Sequence, residues 1–174
     1  MSGYFTIPIS GLKEGRNIYN FEINKEFFDK FEESELKEGD LTATVEAEKR
    51  PSHIVLNVKI SGRLRICCDR CLEMFYYPVE CENRILVKFG KTMVDIDPDI
   101  LIIPVDENEL EMNQYFYEFL HLALPIKRVH PDGKNGKSTC DPDMLKKIEE
   151  HIVIGEGSNN DPRWEELKKL MNNN

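Results

Sequence analysis

Polar and apolar residues alternate through the first half of the chain. Leu41, Ala43, Val45 and Ala47 share one parity, and Ile54, Leu56, Val58 and Ile60 form a second such set with polar residues between. A period of two predicts strands with one face in a core and one in solvent. The alternation resumes after Gly62 as RLRICC, breaks at DRC, and returns in MFYYPV and RILVKF, which reads as a run of adjacent antiparallel strands. Earlier strands are predicted at YFTIPI and NIYNFEI, a short amphipathic helix at KEFFDKFEE, and a last strand at ILIIPV, residues 100–105.

After this strand the period changes. Phe116, Phe119, Leu120 and Ala123 recur at helical spacing, with Asn113 as the expected N-cap and Pro125 as the stop. Asp141 can cap a further helix through about His151, GEGSNND has the composition of a linker, and DPRWEELKKL predicts a final helix with Pro162 in its first turn. The expected fold is therefore α+β: an antiparallel sheet of about six to eight strands, able to curl toward a barrel, with one helix packed across it and C-terminal helices at its edge. Residues 1–154 are expected to form a single β-rich domain, and residues 155–174 a linker, a helix and a polar tail.

Charge narrows the partners. The 174 residues carry 23 Lys and Arg against 32 Asp and Glu, a formal net charge of -9, and such a field repels DNA and anionic membranes in general. No apolar run reaches the roughly 20 residues of a membrane span, and the opening MSGYFTIPISGLKEGRN lacks a basic flank followed by an apolar block. A soluble cytoplasmic protein is expected. The charge is also uneven. Residues 92–118 hold eight acidic side chains and no Lys or Arg, a solvated face on which Asp97, Asp99 and Glu109 are candidates for docking a protein partner. Residues 126–139 reverse the sign, with Lys127, Arg128, Lys134 and Lys137 against Asp132.

Five cysteines are an odd number, and Cys67, Cys68, Cys71 and Cys81 cluster while Cys140 stands apart. Such usage fits a reducing compartment and points to a metal or to inert thiols. Cys68-Asp69-Arg70-Cys71 is a C-x-x-C knuckle at a strand-to-strand turn, from which two thiolates can reach one tetrahedral zinc. His130 and Cys140 are the candidates for the other two ligands, because Cys3His is a known structural zinc set. The alternative is a group of buried thiols packing as small hydrophobes. Cys67 should face away from Cys68, and both Cys67 and Cys81 are expected to be packing residues.

Catalytic signatures are thin. A redox C-x-x-C opens a helix after a strand, whereas here strand follows strand. The chain has no Gly-rich phosphate loop, no G-x-S-x-G and no H-E-x-x-H. Asp-Ile-Asp-Pro-Asp lacks the glycine and terminal glutamate of an EF-hand loop. His53 and His121 have no evident partner. For RNA, the basic loop can contact phosphate, with Arg70 brought beside it by a shared metal, and one exposed ring of Phe75-Tyr76-Tyr77 can stack on unpaired bases.

Together, Cys68-Asp69-Arg70-Cys71-Leu72-Glu73, Leu122-Ala123-Leu124-Pro125, His130, Cys140 and Asp161-Pro162-Arg163-Trp164-Glu165-Glu166-Leu167 resemble the bacterial YceD family, named for accumulation of large-subunit ribosomal RNA. The order of blocks agrees over most of the chain, while the N-terminal part agrees only in its strand pattern. The chain departs from the family in a longer spacer between His130 and Cys140, in Asp161 and Trp164 at the positions of Asn and Phe, and in lacking a second C-x-x-C found in some relatives. The resemblance implies a non-enzymatic factor acting on large-subunit ribosomal RNA or on a protein of its assembly. The competing class is a metal- or thiol-dependent enzyme using Cys68, Cys71, Cys140 and His130.

Overall fold

A computed structural model describes residues 5–90 and 100–152. The chain divides into two compact units, Met1–His130 and Pro131–Asn174.

The first unit is α+β, as expected. Its strands are β1 (Thr6–Pro8), β2 (Gly15–Ile23), β3 (Gly39–Lys49), β4 (His53–Cys67), β5 (Met74–Gly90), β6 (Ile100–Pro104) and β7 (Glu109–Glu111), and its helices are α1 (Lys25–Phe28) and α2 (Asn113–Leu122). Strands β2 to β6 form one sheet in chain order, and β1 pairs with β7 in a separate two-stranded sheet. The larger sheet is open, with β2 and β6 at its two ends. The expected curl does not close it into a barrel.

The alternation of the sequence becomes the two faces of this sheet. Leu41, Ala43, Val45 and Ala47 of β3 and Ile54, Leu56, Val58 and Ile60 of β4 are all buried. Beyond them, Leu64 and Ile66 keep the same parity and are also buried, so Gly62 interrupts composition without ending the strand. There β4 runs straight through, opposite Leu41 of β3. Gly62 has φ +150, and a Cβ on it would lie 2.3 Å from the Asp40 carbonyl oxygen. Only glycine permits this close approach of two backbones.

Two further expectations are corrected. MFYYPV and RILVKF are one strand, β5, paired with β4 from Met74 to Lys88. Cys81 and Asn83 hold positions where the alternation would place larger hydrophobes, and that made one strand look like two. The sheet is also not wholly antiparallel, because β6 lies parallel to β5, with Leu86 opposite Ile100. Strand β7, three residues long, gave too short a pattern to be read.

Beneath the sheet, Phe5, Phe21, Phe27 and Phe116 meet at ring separations of 5.0–6.1 Å. Helix α2 joins this cluster through Phe116 and also buries Leu120. Its N-cap is Met112, which offers no side-chain bond, and Asn113 is the first helical residue. Helix α1 begins at Lys25, capped by the Asn24 carboxamide, but lasts only four residues.

In the second unit, Gly133 N–H donates to the Lys137 carbonyl at 2.8 Å, and Asp132 bridges Ser138 to close a tight turn. Helix α3 (Pro142–His151) follows, with Asp141 accepting from the Asp143 N–H as its cap. The expected linker and final helix lie outside the described residues. No helix among the described residues is long and apolar enough to cross a membrane.

Candidate metal centre

Strands β4 and β5 end their pairing at Cys67 and Met74, and the turn between them is the knuckle. Cys68 N–H donates to the Glu73 carbonyl and Leu72 N–H to the Cys68 carbonyl, both at 2.9 Å. Leu72 takes φ +63 at the tip, the left-handed conformation that lets so short a turn close. Cys68 and Cys71 are turned inward and buried, whereas Cys67 is exposed. The opposite orientation of the adjacent pair agrees with strand parity. A packing role for Cys67 does not, since its thiol stands on the outer face, 3.4 Å from the Leu72 carbonyl. Cys81 is half-buried, and burial pushes its thiol up.

Three of the four expected ligands belong to the first unit, and the fold brings them together. The Cys71 sulfur lies 3.4 Å from Nδ1 of His130. A tetrahedral zinc with ordinary sulfur and nitrogen bonds sets its ligand atoms about 3.3–3.8 Å apart, so this separation suits a shared ion. Cys68 is fully buried. Burial raises its thiol, but N–H groups of Cys71, Arg70 and His130, with the His130 ring, favour the thiolate and bring it from 9.0 to about 6. Backbone donors aimed at a sulfur are the environment that a metal-bound thiolate needs.

A second contact presents His130 to the knuckle, and sequence reasoning missed it. Asp69 N–H donates to the Arg128 carbonyl at 2.7 Å, and Arg128 N–H donates to Oδ2 of Asp69 at 2.6 Å. The Arg128 guanidinium lies 3.6 Å from Asp69 and 2.8 Å from Glu35. The Phe75 ring packs 4.4 Å from the His130 ring. Asp69 and Arg128 therefore clamp the segment after α2 to the knuckle two residues before the histidine. The aspartate inside C-D-R-C was the available signal.

Cys140 belongs to the second unit. It is buried, and its N–H donates to Ser138 Oγ at 3.1 Å, immediately before the Asp141 cap of α3.

Lys127 is exposed, as are Lys134 and Lys137 of the second unit's turn, while Arg70 and Arg128 are half-buried. Glu109 is exposed on β7, and Asp97 and Asp99 lie outside the described residues. Of the aromatic tripeptide, Phe75 is buried, Tyr77 half-buried and Tyr76 exposed. His53 contacts Ser52 Oγ at 3.0 Å, and His121 contacts the Tyr117 carbonyl at 2.8 Å.

Comparison with known proteins adds a family. No curated protein and no solved structure matches the chain. A family model described as large ribosomal RNA subunit accumulation protein YceD matches residues 56–171, a span that runs from β4 through the knuckle, His130 and Cys140. The chain belongs to the YceD family.

Proposed function

We propose that the protein is a non-enzymatic binding factor for accumulation or maturation of large-subunit ribosomal RNA in the cytoplasm, and that it carries a structural zinc ion. What carries the metal assignment is the donor set of the first unit, Cys68, Cys71 and His130, in which the Cys71 sulfur lies 3.4 Å from Nδ1 of His130; Cys140 of the second unit is the proposed fourth ligand. Three sulfurs and one imidazole nitrogen, with no carboxylate, favour zinc over magnesium or calcium. Four protein ligands fill a tetrahedral shell and leave no position for water, the arrangement of a structural rather than a catalytic ion. The lowered Cys68 thiol would be the basis for a thiol enzyme, but its complete burial favours a ligand over a nucleophile.

The role is supported by the family and by the reversal of charge. With a net charge of -9, contact with RNA has to concentrate where the sign changes. Lys127, Lys134 and Lys137 would meet phosphates without reading bases, with Arg70 of the knuckle itself as a fourth cation. Arg128 contributes mainly by position, since Glu35 and Asp69 already engage its guanidinium. DNA and membranes are not targets of such a factor.

Affinity purification of the chain from growing cells, at low and at moderate salt, tests the proposal. Large-subunit precursor RNA should be recovered, should decline steeply with salt, and should be lost when Lys127, Lys134 and Lys137 are replaced by Gln. Recovery of a large-subunit assembly protein without RNA would overturn the RNA contact and move binding to Asp97, Asp99 and Glu109.

A further inference from the structure

The two ends of the five-stranded sheet differ in how they are guarded. Strand β6 is five residues long and ends at Pro104, which has no N–H to offer another strand. Strand β2 is nine residues long and pairs with β3 residue for residue from Gly15 to Ile23. It contains no proline, and its continuous register has no bulge. Among the described residues, no backbone hydrogen bond links Gly15–Ile23 to anything except β3. Its middle, Asn17–Phe21, carries no charge, and Ile18 is 56% exposed. Edge strands usually carry charge, proline, bulges or a cover that prevents pairing with another chain. The centre of β2 carries none of the first three.

We infer that β2 pairs with β2 of a second copy of this chain, antiparallel, about a two-fold axis that passes between the two Tyr19 residues, perpendicular to the sheet. A two-fold axis perpendicular to the sheet keeps the exposed faces of both copies on one side. The pleats of the two strands match only if it passes between equivalent residues, because directly opposed residues of an antiparallel pair face the same side. Centred on Tyr19, the register sets Arg16 opposite Glu22 and, by symmetry, Glu22 opposite Arg16. Ile18 falls opposite Asn20, and Asn17 opposite Phe21. Centred on Ile18, it would oppose Glu22 to Glu14. Centred on Asn20, it would set Arg16 opposite Asn24 and Glu22 opposite Ile18. Charge therefore selects one register.

The side chains are ready for it. Arg16, Ile18, Asn20 and Glu22 are exposed, whereas Tyr19 and Phe21 are only half-buried at the rim of the core. Arg16 already pairs with Glu46 on β3, and its side chain remains 65% exposed. The partner's Glu22 would extend that pair into a Glu46–Arg16–Glu22 ladder across the junction, and the two Tyr19 rings would meet at the axis.

Sedimentation of the full chain over a range of concentrations tests the inference. The chain should be a reversible dimer. Arg16→Glu and Glu22→Arg should each weaken dimerisation about tenfold, because each puts like charges opposite one another at two symmetric positions. The combined exchange should restore most of the loss, and Ile18→Lys provides a weakened variant independent of the charge pairs. Circular dichroism would show that each variant is folded. A chain that stays monomeric throughout would overturn the inference, whether another segment or another protein covers β2. So would a dimer that ignores the single reversals, or a double variant no better than either single one.

Discussion

Asp69 shows how one side chain can organise a site to which it donates no ligand. Its backbone and carboxylate grip both sides of the Arg128 peptide unit, and that grip fixes where His130 begins. Partners of this kind typically change metal affinity by about 10- to 100-fold. Asp69→Asn should therefore lower zinc affinity by at least about tenfold in a chelator competition while leaving the circular dichroism spectrum unchanged. Equal affinity for the two proteins would mean that His130 is placed by other contacts. On the outer face of the same hairpin, Glu38 accepts from the Arg65 guanidinium at 2.7 Å and from the Tyr76 hydroxyl at 2.9 Å. These hydrogen bonds, Arg65 first, hold its carboxyl below its ordinary value of 4.5. A carboxyl lowered on folding contributes stability above its unfolded value and loses it as pH falls through the lowered value. An NMR titration should place the Glu38 midpoint below 4.5, and Arg65→Gln should move it upward; an unmoved midpoint would show that Arg65 is not the cause.

At the scale of elements, the strands were legible because their buried sides are regular, and their ends were not. Nothing in the local pattern distinguishes a glycine that turns the chain from one that lets a neighbouring strand approach. Gly62 is of the second kind, and β4 extends well beyond the point where the apolar run pauses. Gly62→Ala forces a Cβ against the Asp40 carbonyl and a strained φ, so it should destabilise the protein by about 2 kcal/mol or more in urea unfolding. A loss within about 0.5 kcal/mol, the range of an ordinary surface change, would mean that β3 and β4 separate there easily. The parallel pairing of β6 was hidden for another reason: strand direction depends on how the strand is connected to its neighbour, and the continuous apolar run ILIIP reads the same either way. Helix α2 was legible from Phe116 and Leu120, whereas its cap was misplaced by one residue because Asn113 has the residue type of a cap without the position.

For the whole molecule, the α+β class could be read from sequence, since it depends on local pattern and composition. The Asp69–Arg128 clamp could not, because it joins positions 59 residues apart whose pairing only the fold supplies. The central claim is that the metal-pinned knuckle serves large-subunit RNA. Its most direct test is the ratio of large- to small-subunit ribosomal RNA in cells lacking the native copy, supplied with the wild-type chain or with Cys71→Ser. The wild-type chain should restore the ratio. Cys71→Ser, expressed to the same level, should leave it low, because it removes a proposed ligand and with it the ion that would anchor the His130 segment to the knuckle. Full restoration by Cys71→Ser would contradict the claim.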